Sequence, residues 1–451
     1  MPAVPRDRRY RRLFTAQVIA LVGTGLATVA LSLLADDIAG PDAGSVLGTA
    51  LAIKMAAYVG LTPVISALAH RLAPRPVLVA ADLIRAAVAL ALPFVTEIWQ
   101  VYLLIFLLQA ASATFTPAFQ ALIPRVLPGE EDYTRALSLS RLAYDLEVLL
   151  SPVLAAALLA HVTYGGLFLG TVAGFLGSAA LVLATALPPP SPGPAGGGGF
   201  AARTTRGARL ILATPRLRAL LALNLAVAAA GAMVLVNTIV YVRGHLGRAA
   251  SDVPTAFGAY GAGSVLSALL LPRLLRRTTD RTLMLTAGLL SAGLLTALAA
   301  TTWAGPAGWS WPALLALWAG FGATGSLIMT PTGRLVRRSA GAGDLTAVFA
   351  AQFSLSHGCW LFTYPLAGRL GAAAGLTATA LALAAVGLGA ALLAWRLWPT
   401  GDPSRIPHVH SVLGHEHPHL AGARPVGGGW EHTHHFVIDD LHRRWPLRPA
   451  G

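Results

Sequence analysis

Cysteine is almost absent from this sequence of 451 residues, and charge is scarce. The single cysteine, Cys359, excludes a disulfide framework and any zinc or iron–sulfur site built from several thiolates. Charged residues make up 12% of the chain, about half of the roughly 25% typical of soluble globular proteins. Hydrophobic residues make up 55% and the mean hydropathy is +0.65. These values exclude both an ordinary water-soluble domain and a mainly disordered chain.

Lysine is nearly missing as well, because Lys54 is the only lysine beside the many arginines. The formal net charge is +14, which is typical of nucleic-acid-binding proteins when the charge collects on one soluble face. Here the arginines form short clusters between long apolar runs, a pattern typical of membrane proteins. We therefore expect a lipid bilayer and no nucleic acid as partner. No nucleophile elbow, phosphate loop or acid–base pair occurs, so we do not expect an enzyme.

Twelve apolar runs are long enough to cross a bilayer as helices, which takes about 20 residues each. Several are rich in Gly, Ala and Ser, which favours close packing of helices in lipid. The sequence predicts an all-α integral membrane protein with twelve transmembrane helices near residues 13–35, 46–69, 77–96, 98–119, 136–160, 165–187, 217–241, 255–272, 282–302, 311–331, 346–368 and 372–397.

The arginine clusters predict the orientation, because cytoplasmic loops carry an excess of Lys and Arg. Clusters occur at the N-terminus and after every second run, whereas the opposite loops carry Asp36, Asp37 and Glu97. Trp99 and Trp303 lie at the outer ends of runs, where aromatic anchors are expected. We predict a multi-pass protein of the cell (inner or plasma) membrane with both termini in the cytoplasm.

A segment rich in proline and glycine separates six runs from six others. Short echoes between the two sets, such as Arg71-Leu72 and Arg273-Leu274, favour a duplicated transporter with a site at the midplane. The predicted parts are an N-terminal six-helix half at 1–187, a cytoplasmic linker at 188–215, a C-terminal six-helix half at 216–400 and a cytoplasmic His-rich tail at 401–451.

Histidine is concentrated in the tail, which contains nine of the chain's thirteen histidines. Alternate residues of an extended chain point to the same side, so His-x-His pairs present their imidazoles together. Imidazoles suit Ni, Co, Cu and Zn, and Glu416, Asp439 or Asp440 could add an oxygen ligand. The alternative is a His-rich disordered end without a metal. The predicted metal ligands of the tail are His408, His410, His415, His417, His419, His432, His434, His435 and His442.

The loop after the second run resembles a signature of the major facilitator superfamily, Gly-x-x-x-Asp-Arg-x-Gly-Arg-Arg. Here it reads Ser66-Ala-Leu-Ala-His-Arg-Leu-Ala-Pro-Arg75, so Ser66 replaces the Gly and His70 the Asp. The layout of residues 1–400 is similar to that of macrolide and siderophore exporters, and the tail through 434–440 looks like that of nickel-resistance exporters. The resemblance implies a secondary transporter whose gating loop uses His70, Arg71, Arg75, Asp82 and Arg85.

The resemblance also implies that helices 1, 4, 7 and 10 line the transport cavity. Four polar residues share one face of the fourth run at spacings of three and four, and other polar residues occur on the first and seventh. Hydrogen bonding between helices is the alternative reading of each. The predicted cavity-lining residues are Gln17, Gln109, Ser112, Thr116, Gln120, Asn224 and Asn237.

Ionisable residues inside apolar runs are costly and are therefore functional candidates. Glu147 lies on a polar stripe of the fifth run and is the first candidate for a proton-coupling carboxylate; the alternative is a structural partner of a basic residue. Asp145 shares a helix face with Arg141 at i, i+4, which also fits a structural ion pair.

Two further ionisable candidates allow more than one reading. Lys54 either extends its ammonium to the membrane surface or forms a salt bridge to Glu147 or Asp37. His357 is either a hydrogen-bonded helix contact, a metal ligand or a proton acceptor near neutral pH.

These features predict a monomeric secondary exporter that moves a divalent transition cation, nickel or cobalt, outward against protons. It needs no cofactor, and the metal is substrate or tail ligand. One alternative is an exporter of an organic drug or siderophore with a metal-sensing tail. A second alternative is a membrane metal sensor that transports nothing.

Overall fold

The computed structural model describes residues 7–39, 43–69, 73–189, 199–403, 405–411, 413, 417–439, 441–442 and 445–446. The described residues form a bundle of α-helices followed by a small sheet. The helices are α1 (Arg8–Ala39), α2 (Ala43–Ala56), α3 (Thr62–Ala69), α4 (Pro74–Ala91), α5 (Ile98–Val126), α6 (Glu130–Leu159), α7 (Tyr164–Leu183), α8 (Phe200–Thr204), α9 (Arg206–Ala213), α10 (Pro215–Ile239), α11 (Val253–Leu274), α12 (Asp280–Trp303), α13 (Ser310–Met329), α14 (Thr332–Ser339) and α15 (Leu345–Leu397).

These helices supply the twelve predicted crossings of the membrane. Nine helical segments in the described part of the chain are long and apolar enough to span it, and the 30-residue α6 packs among them. A π-helical turn at Ala57–Leu61 joins α2 to α3, so these two make one interrupted crossing. The 53 residues of α15 hold two crossings. The prediction of a twelve-helix, all-α membrane fold is confirmed.

The two crossings of α15 meet at Gly375, where the backbone leaves the helical conformation. Its φ of 79° and ψ of 175° lie in a region that side chains other than glycine rarely adopt. Glycine therefore lets the eleventh crossing end and the twelfth begin without an intervening loop.

Each half of the bundle has its own apolar core. In the first half α1 packs against α7, and α4 packs against α5 and α7. In the second half α10 packs against α15, and α11 packs against α13. The halves contact each other through α6 with α11, and through α3 and α5 with α15. A site between the halves is thus bounded by α5, α6, α11 and α15.

The predicted linker contains more regular structure than its composition indicates. Residues 190–198 lie outside the described residues, but α8 and α9 follow them. Helix α9 packs against α15, where Arg206 pairs with Asp344. The proposed domain boundaries stay predictions.

A three-stranded antiparallel sheet follows the last helix, which sequence analysis did not predict. Its strands are β1 (Arg405–His410), β2 (Arg424–Val426) and β3 (Gly429–His435), in the order β1-β3-β2. Ile406, Phe436 and Ile438 are buried in the same core as residues of α9, α10 and α12. The sheet is therefore docked on the bundle, and we call that end the tail side.

Exposed tryptophans mark the opposite end of the bundle. Trp303 ends α12, whose first residue, Asp280, is at the tail side, and Trp99 lies in the first turn of α5. Both side chains are strongly exposed. Amphipathic indole rings at a helix end suit the membrane–water interface.

Candidate transport and metal sites

A group of polar side chains lies between the halves near the middle of the bundle. Tyr58, on the π-helical turn, donates a hydrogen bond to the Gln109 carbonyl over 2.9 Å. The Lys54 ammonium is 5.7 Å from the centre of the Tyr58 ring. We call this group the central polar cluster, which consists of Lys54, Tyr58, Gln109, Glu147 and His357.

Glu147 brings the acidic charge to the central polar cluster. Its carboxylate interacts electrostatically with Lys54, although the two do not form an ion pair within 4.0 Å. Gly25 of α1 makes room for this side of α6, because a Cβ there would come within 1.7 Å of the Ser151 hydroxyl and 3.3 Å of the Glu147 carboxylate. Of the two partners predicted for Lys54, the structure places Glu147 nearby.

His357 joins the cluster from the second half. Its Nδ1 is 2.7 Å from the Phe353 carbonyl, as in the predicted helix contact. Its ring also packs edge-on against Tyr58, with 4.8 Å between the ring centres. Since Tyr58 belongs to the first half, this contact crosses the interface. The thiol of Cys359 donates a hydrogen bond to the Leu355 carbonyl, so it takes no part in the contact of His357 with Tyr58.

A second polar contact between the halves is built on α6. Arg141 and Asp145 form the predicted i, i+4 ion pair, with 2.9 Å between nitrogen and oxygen. Sequence analysis missed their partner on α11, because the hydroxyl of Ser264 donates to Asp145 over 2.6 Å and accepts from Arg141 over 3.1 Å. The Arg141–Asp145 pair therefore links the two halves through Ser264, while its own opposite charges neutralise each other.

Replacing Ser264 by alanine is expected to weaken this contact between the halves. The loss should be about 1 kcal/mol, a typical value for a hydrogen bond between membrane helices. The measurement is the apparent unfolding temperature of the purified protein in detergent. Ser267→Ala, three residues along α11 and also buried, is the matched control. Equal unfolding temperatures for the two variants would contradict the bridging role.

The predicted cavity-lining residues divide into two groups. Gln109, Ser112, Thr116 and Gln120 are all partly exposed along one face of α5, and most of the residues between them are buried. The other three are buried among neighbouring helices, and their place in the cavity stays a prediction. Gln17 accepts a hydrogen bond from Ser140, Asn237 donates to the Ala367 carbonyl, and Asn224 is buried.

The predicted gating-loop residues do not join the halves where the structure describes them. Asp82 and Arg85 pair with each other, and the Arg85 guanidinium lies between the rings of Phe115 and Phe175 inside the first half. Arg75 donates to the carbonyl of Thr185 at the end of α7. His70 and Arg71 lie outside the described residues.

At the tail side the two halves also meet through α14, whose arginines sequence analysis used only for orientation. Arg334 donates hydrogen bonds of 2.5 Å to Glu130 and Thr134 of α6. Arg337 donates to the Pro128 carbonyl and lies over the ring of Tyr133. We call the contact between α14 and the start of α6 the tail-side gate.

The tail sheet collects imidazoles on one face. His408 pairs with His432 across β1 and β3, and Ile406 pairs with His434. A 3₁₀ turn at Pro418–Leu420 adds His419, and His442 arrives from the segment after β3. Their ligating atoms all lie within 4.8 Å of one another. We call this group the imidazole cluster, which consists of His408, His419, His432, His434 and His442, with His410 at its edge.

Hydrogen bonds at the Nδ1 atoms orient two of these rings. Nδ1–H of His408 donates to the Ile406 carbonyl over 2.9 Å, and Nδ1–H of His442 donates to Asp439 over 2.8 Å. When Nδ1 carries the only ring proton, Nε2 carries a lone pair, and the Nε2 atoms of His408 and His442 lie 3.0 Å apart. Two lone pairs at this distance repel, so the geometry calls for a cation between them.

The distances between the nitrogens match metal coordination. A metal–nitrogen bond of about 2.1 Å places ligands at right angles about 3.0 Å apart, and Nε2–Nε2 distances within the cluster are 3.0–3.3 Å. Burial and then the charges of neighbouring imidazoles lower the pKa of His410 and His432 to about 4. These two rings are therefore uncharged at neutral pH, as metal ligands must be.

Not every tail histidine belongs to the imidazole cluster. His417 accepts a hydrogen bond from the amide of His419, and His435 lies on the other sheet face near Arg216 and Arg338. His415 lies outside the described residues, as do Glu416 and Asp440. Six of the nine predicted tail ligands are thus brought together.

The fold of the chain is similar to that of several solved transporter structures. The human organic anion transporter MFSD10 gives a TM-score of 0.71 at 14% identity, over 86% of this chain and 100% of that one. A bacterial homologue of the iron transporter ferroportin, in its outward-facing state, gives 0.70 at 15% identity, over 86% and 98%. The E. coli fucose:proton symporter FucP gives 0.68 at 14% identity, over 87% and 98%.

These similarities establish the fold, since the identities are low. No curated protein matches the sequence. The family model of the Major Facilitator Superfamily matches residues 13–311, most of the chain. The chain is therefore a multi-pass membrane transporter rather than an enzyme, and it belongs to the Major Facilitator Superfamily.

Proposed function

We propose that this protein exports a divalent transition-metal cation, nickel or cobalt, from the cytoplasm in exchange for protons. The observation that carries the proposal is the convergence of the imidazole cluster at the tail side. A cation site at the tail side would give an exporter a place to collect its cargo. The arginines concentrated on that side support a cytoplasmic tail in a cell membrane.

The number of imidazoles favours nickel or cobalt over zinc. Five or six nitrogen donors meet here, whereas structural zinc sites use four ligands in a tetrahedron. Imidazole nitrogens also suit borderline ions rather than magnesium or calcium, which take oxygen ligands. The bacterial ferroportin homologue, described as related to an iron transporter, supports metal transport on this fold.

Proton coupling is assigned to Glu147 in the central polar cluster. Asp82 and Asp145 each have an arginine partner on their own helix, whereas Glu147 faces Lys54 across the helices without a direct ion pair. A carboxylate in this setting can take up a proton at modest electrostatic cost, which then changes its interaction with Lys54. His357 lies in the same cluster and contacts Tyr58 across the interface between the halves.

The test is metal uptake into inside-out vesicles with an imposed proton gradient. Intact protein is expected to accumulate nickel and cobalt when the gradient is present. A chain ended after Thr400 should show slower uptake at low metal concentration, because it lacks the imidazole cluster but keeps the bundle. Gradient-independent uptake, or none above empty vesicles, would refute metal export.

One observation favours a second function, export of an organic compound with a metal-sensing tail. The central polar cluster contains the Lys54 ammonium, which repels a divalent cation. Within the described part of the chain, the only group of three or more metal-ligating side chains is in the tail. Gradient-driven efflux of an organic compound, modulated by nickel, would support this alternative.

A further inference from the structure

We propose that metal binding in the tail holds the tail-side gate closed, and that Asp402 transmits the effect. The inference rests on the imidazole cluster of the proposed function, but it does not require that the metal be transported. It follows from a continuous set of ion pairs that runs from the tail through the second half to the first half.

The first step is the docking of the tail at Asp402, which precedes β1 by three residues. Its carboxylate pairs with Arg338 over 2.6 Å and with Arg216 over 3.4 Å. Arg216 is 1% exposed and stacks on Trp445, a residue that follows the imidazole cluster in the chain. The tail therefore supplies an acidic partner for the buried Arg216 guanidinium and an aromatic ring that covers it.

Asp402 is held in an unusual backbone conformation. Its φ of 31° is the only positive value at a residue other than glycine in the described chain. Such a conformation costs free energy and persists only where surrounding contacts enforce it. Here β1 on one side and the two arginines on the other provide that constraint.

The second step joins Asp402 to the tail-side gate. Arg338 also pairs with Asp280 over 3.2 Å, and Asp280 pairs with Arg334 over 3.3 Å. Arg334 in turn holds Glu130 of the first half over 2.5 Å. Because Arg334 and Arg338 share Asp280, removing the Asp402 charge shifts Arg338 toward Asp280 and weakens the hold of Asp280 on Arg334.

The third step is metal binding itself. Without a cation the facing Nε2 atoms of His408 and His442 repel, which loosens β1 against the segment after β3. A bound cation removes this repulsion and fixes β1, and Asp402 with it. By thermodynamic linkage, a metal that favours the docked tail favours the closed gate, and a closed gate binds the metal more tightly.

The experiment measures the gate by the distance between two spin labels on the full chain in detergent. Labels are placed by Glu131→Cys and Arg276→Cys, exposed positions in the two halves, with Cys359→Ser removing the native thiol. Zinc is the probe because it binds imidazole and is diamagnetic. Zinc is expected to increase the short-distance population in the otherwise unaltered chain.

Two variants separate metal binding from its transmission. Asp402→Asn and Arg338→Gln should bind zinc with unchanged stoichiometry, yet lose most of the zinc-induced shift. Arg338 lies on α14, outside the tail, so its variant keeps the test valid even where Asp402→Asn disturbs the sheet. His417→Ala, outside the imidazole cluster, should behave like the parent chain.

The proposal is overturned where zinc binds without changing the distances, where both variants respond like the parent, or where zinc does not bind the tail. Vesicle uptake reports separately on the proposed function. Normal metal uptake without a zinc-induced change in the distances would refute only the proposed coupling between tail and gate. A zinc-induced change in the distances without any metal uptake would refute metal export and support the coupling.

Discussion

Replacing Glu147 by glutamine is expected to abolish proton-driven transport while leaving exchange of substrate across the membrane intact. Glutamine keeps the shape of the side chain but cannot gain or lose the proton. Lys54 would then lack the carboxylate with which it interacts, and the side chain at position 147 could no longer change between a charged and a neutral form. An alternating-access transporter without a proton switch can still exchange cargo for cargo, but a proton gradient no longer drives net movement.

The measurement compares two modes of nickel movement in the same inside-out vesicles. Gradient-driven uptake should fall to the level of vesicles without the protein. Exchange of labelled for unlabelled nickel, with no gradient imposed, should stay near that of the unaltered chain. Glu131→Gln is the matched control, because Glu131 is an exposed carboxylate paired with Arg135 on the surface of the same helix.

The two modes separate a coupling role from a structural one. Loss of both uptake and exchange would indicate that Glu147 is needed for folding or for binding of cargo. Full retention of gradient-driven uptake would refute the assignment. His357, which lies in the same cluster, would then be the next group to replace.

The membrane fold could be predicted from the sequence because a bilayer restricts the structures that can cross it. Apolar runs of about 20 residues have few alternatives to a helix in lipid, and all twelve correspond to helical segments. Interruptions within the membrane-crossing helices could not be predicted from the sequence. The π-helical turn at Ala57–Leu61 and the break at Gly375 depend on packing of neighbouring helices rather than on local composition.

The candidate site was predictable where partners are close in sequence. The pair of Arg141 with Asp145 follows from helical spacing, whereas Ser264 joins it from a helix 119 residues beyond Asp145. Tyr58 was missed for the same reason, since its partners Gln109 and His357 are brought to it only by the assembled bundle.

For arginines near the membrane surface, the sequence predicts a collective effect but not the contacts of each side chain. Arg334, Arg337 and Arg338 occur between the tenth and eleventh predicted crossings, where their number predicts orientation. Their individual roles depend on which acidic groups approach them. Glu130 and Asp402 are far away in sequence, and the latter reaches Arg338 only because the tail folds back onto the bundle.

Replacing His408 by alanine is expected to abolish high-affinity metal binding by the tail. Its Nε2 lies within 3.0–3.1 Å of the Nε2 atoms of His410, His432 and His442, which puts His408 at the centre of the imidazole cluster. Nickel titration of the purified full chain should show one high-affinity site per molecule. In His408→Ala that site should be lost.

Asp439→Asn should weaken nickel binding by about 10–100-fold without removing a ligand, the usual cost of losing a carboxylate that orients a metal-binding imidazole. Asp439 accepts from Nδ1–H of His442 and from the backbone amides of Leu441 and His442. Asparagine can accept the same hydrogen bonds but carries no charge, so it leaves His442 oriented and makes it a weaker donor to the metal.

The outer histidines provide the controls that distinguish a built site from a merely His-rich segment. His417 and His435 lie outside the imidazole cluster, so His417→Ala and His435→Ala should bind nickel like the unaltered chain. A loose His-rich segment would instead lose affinity gradually with each histidine removed, whichever it is, and would not respond to Asp439→Asn. Equal effects of His408→Ala and His435→Ala would therefore contradict the folded site, and with it the observation on which metal export depends.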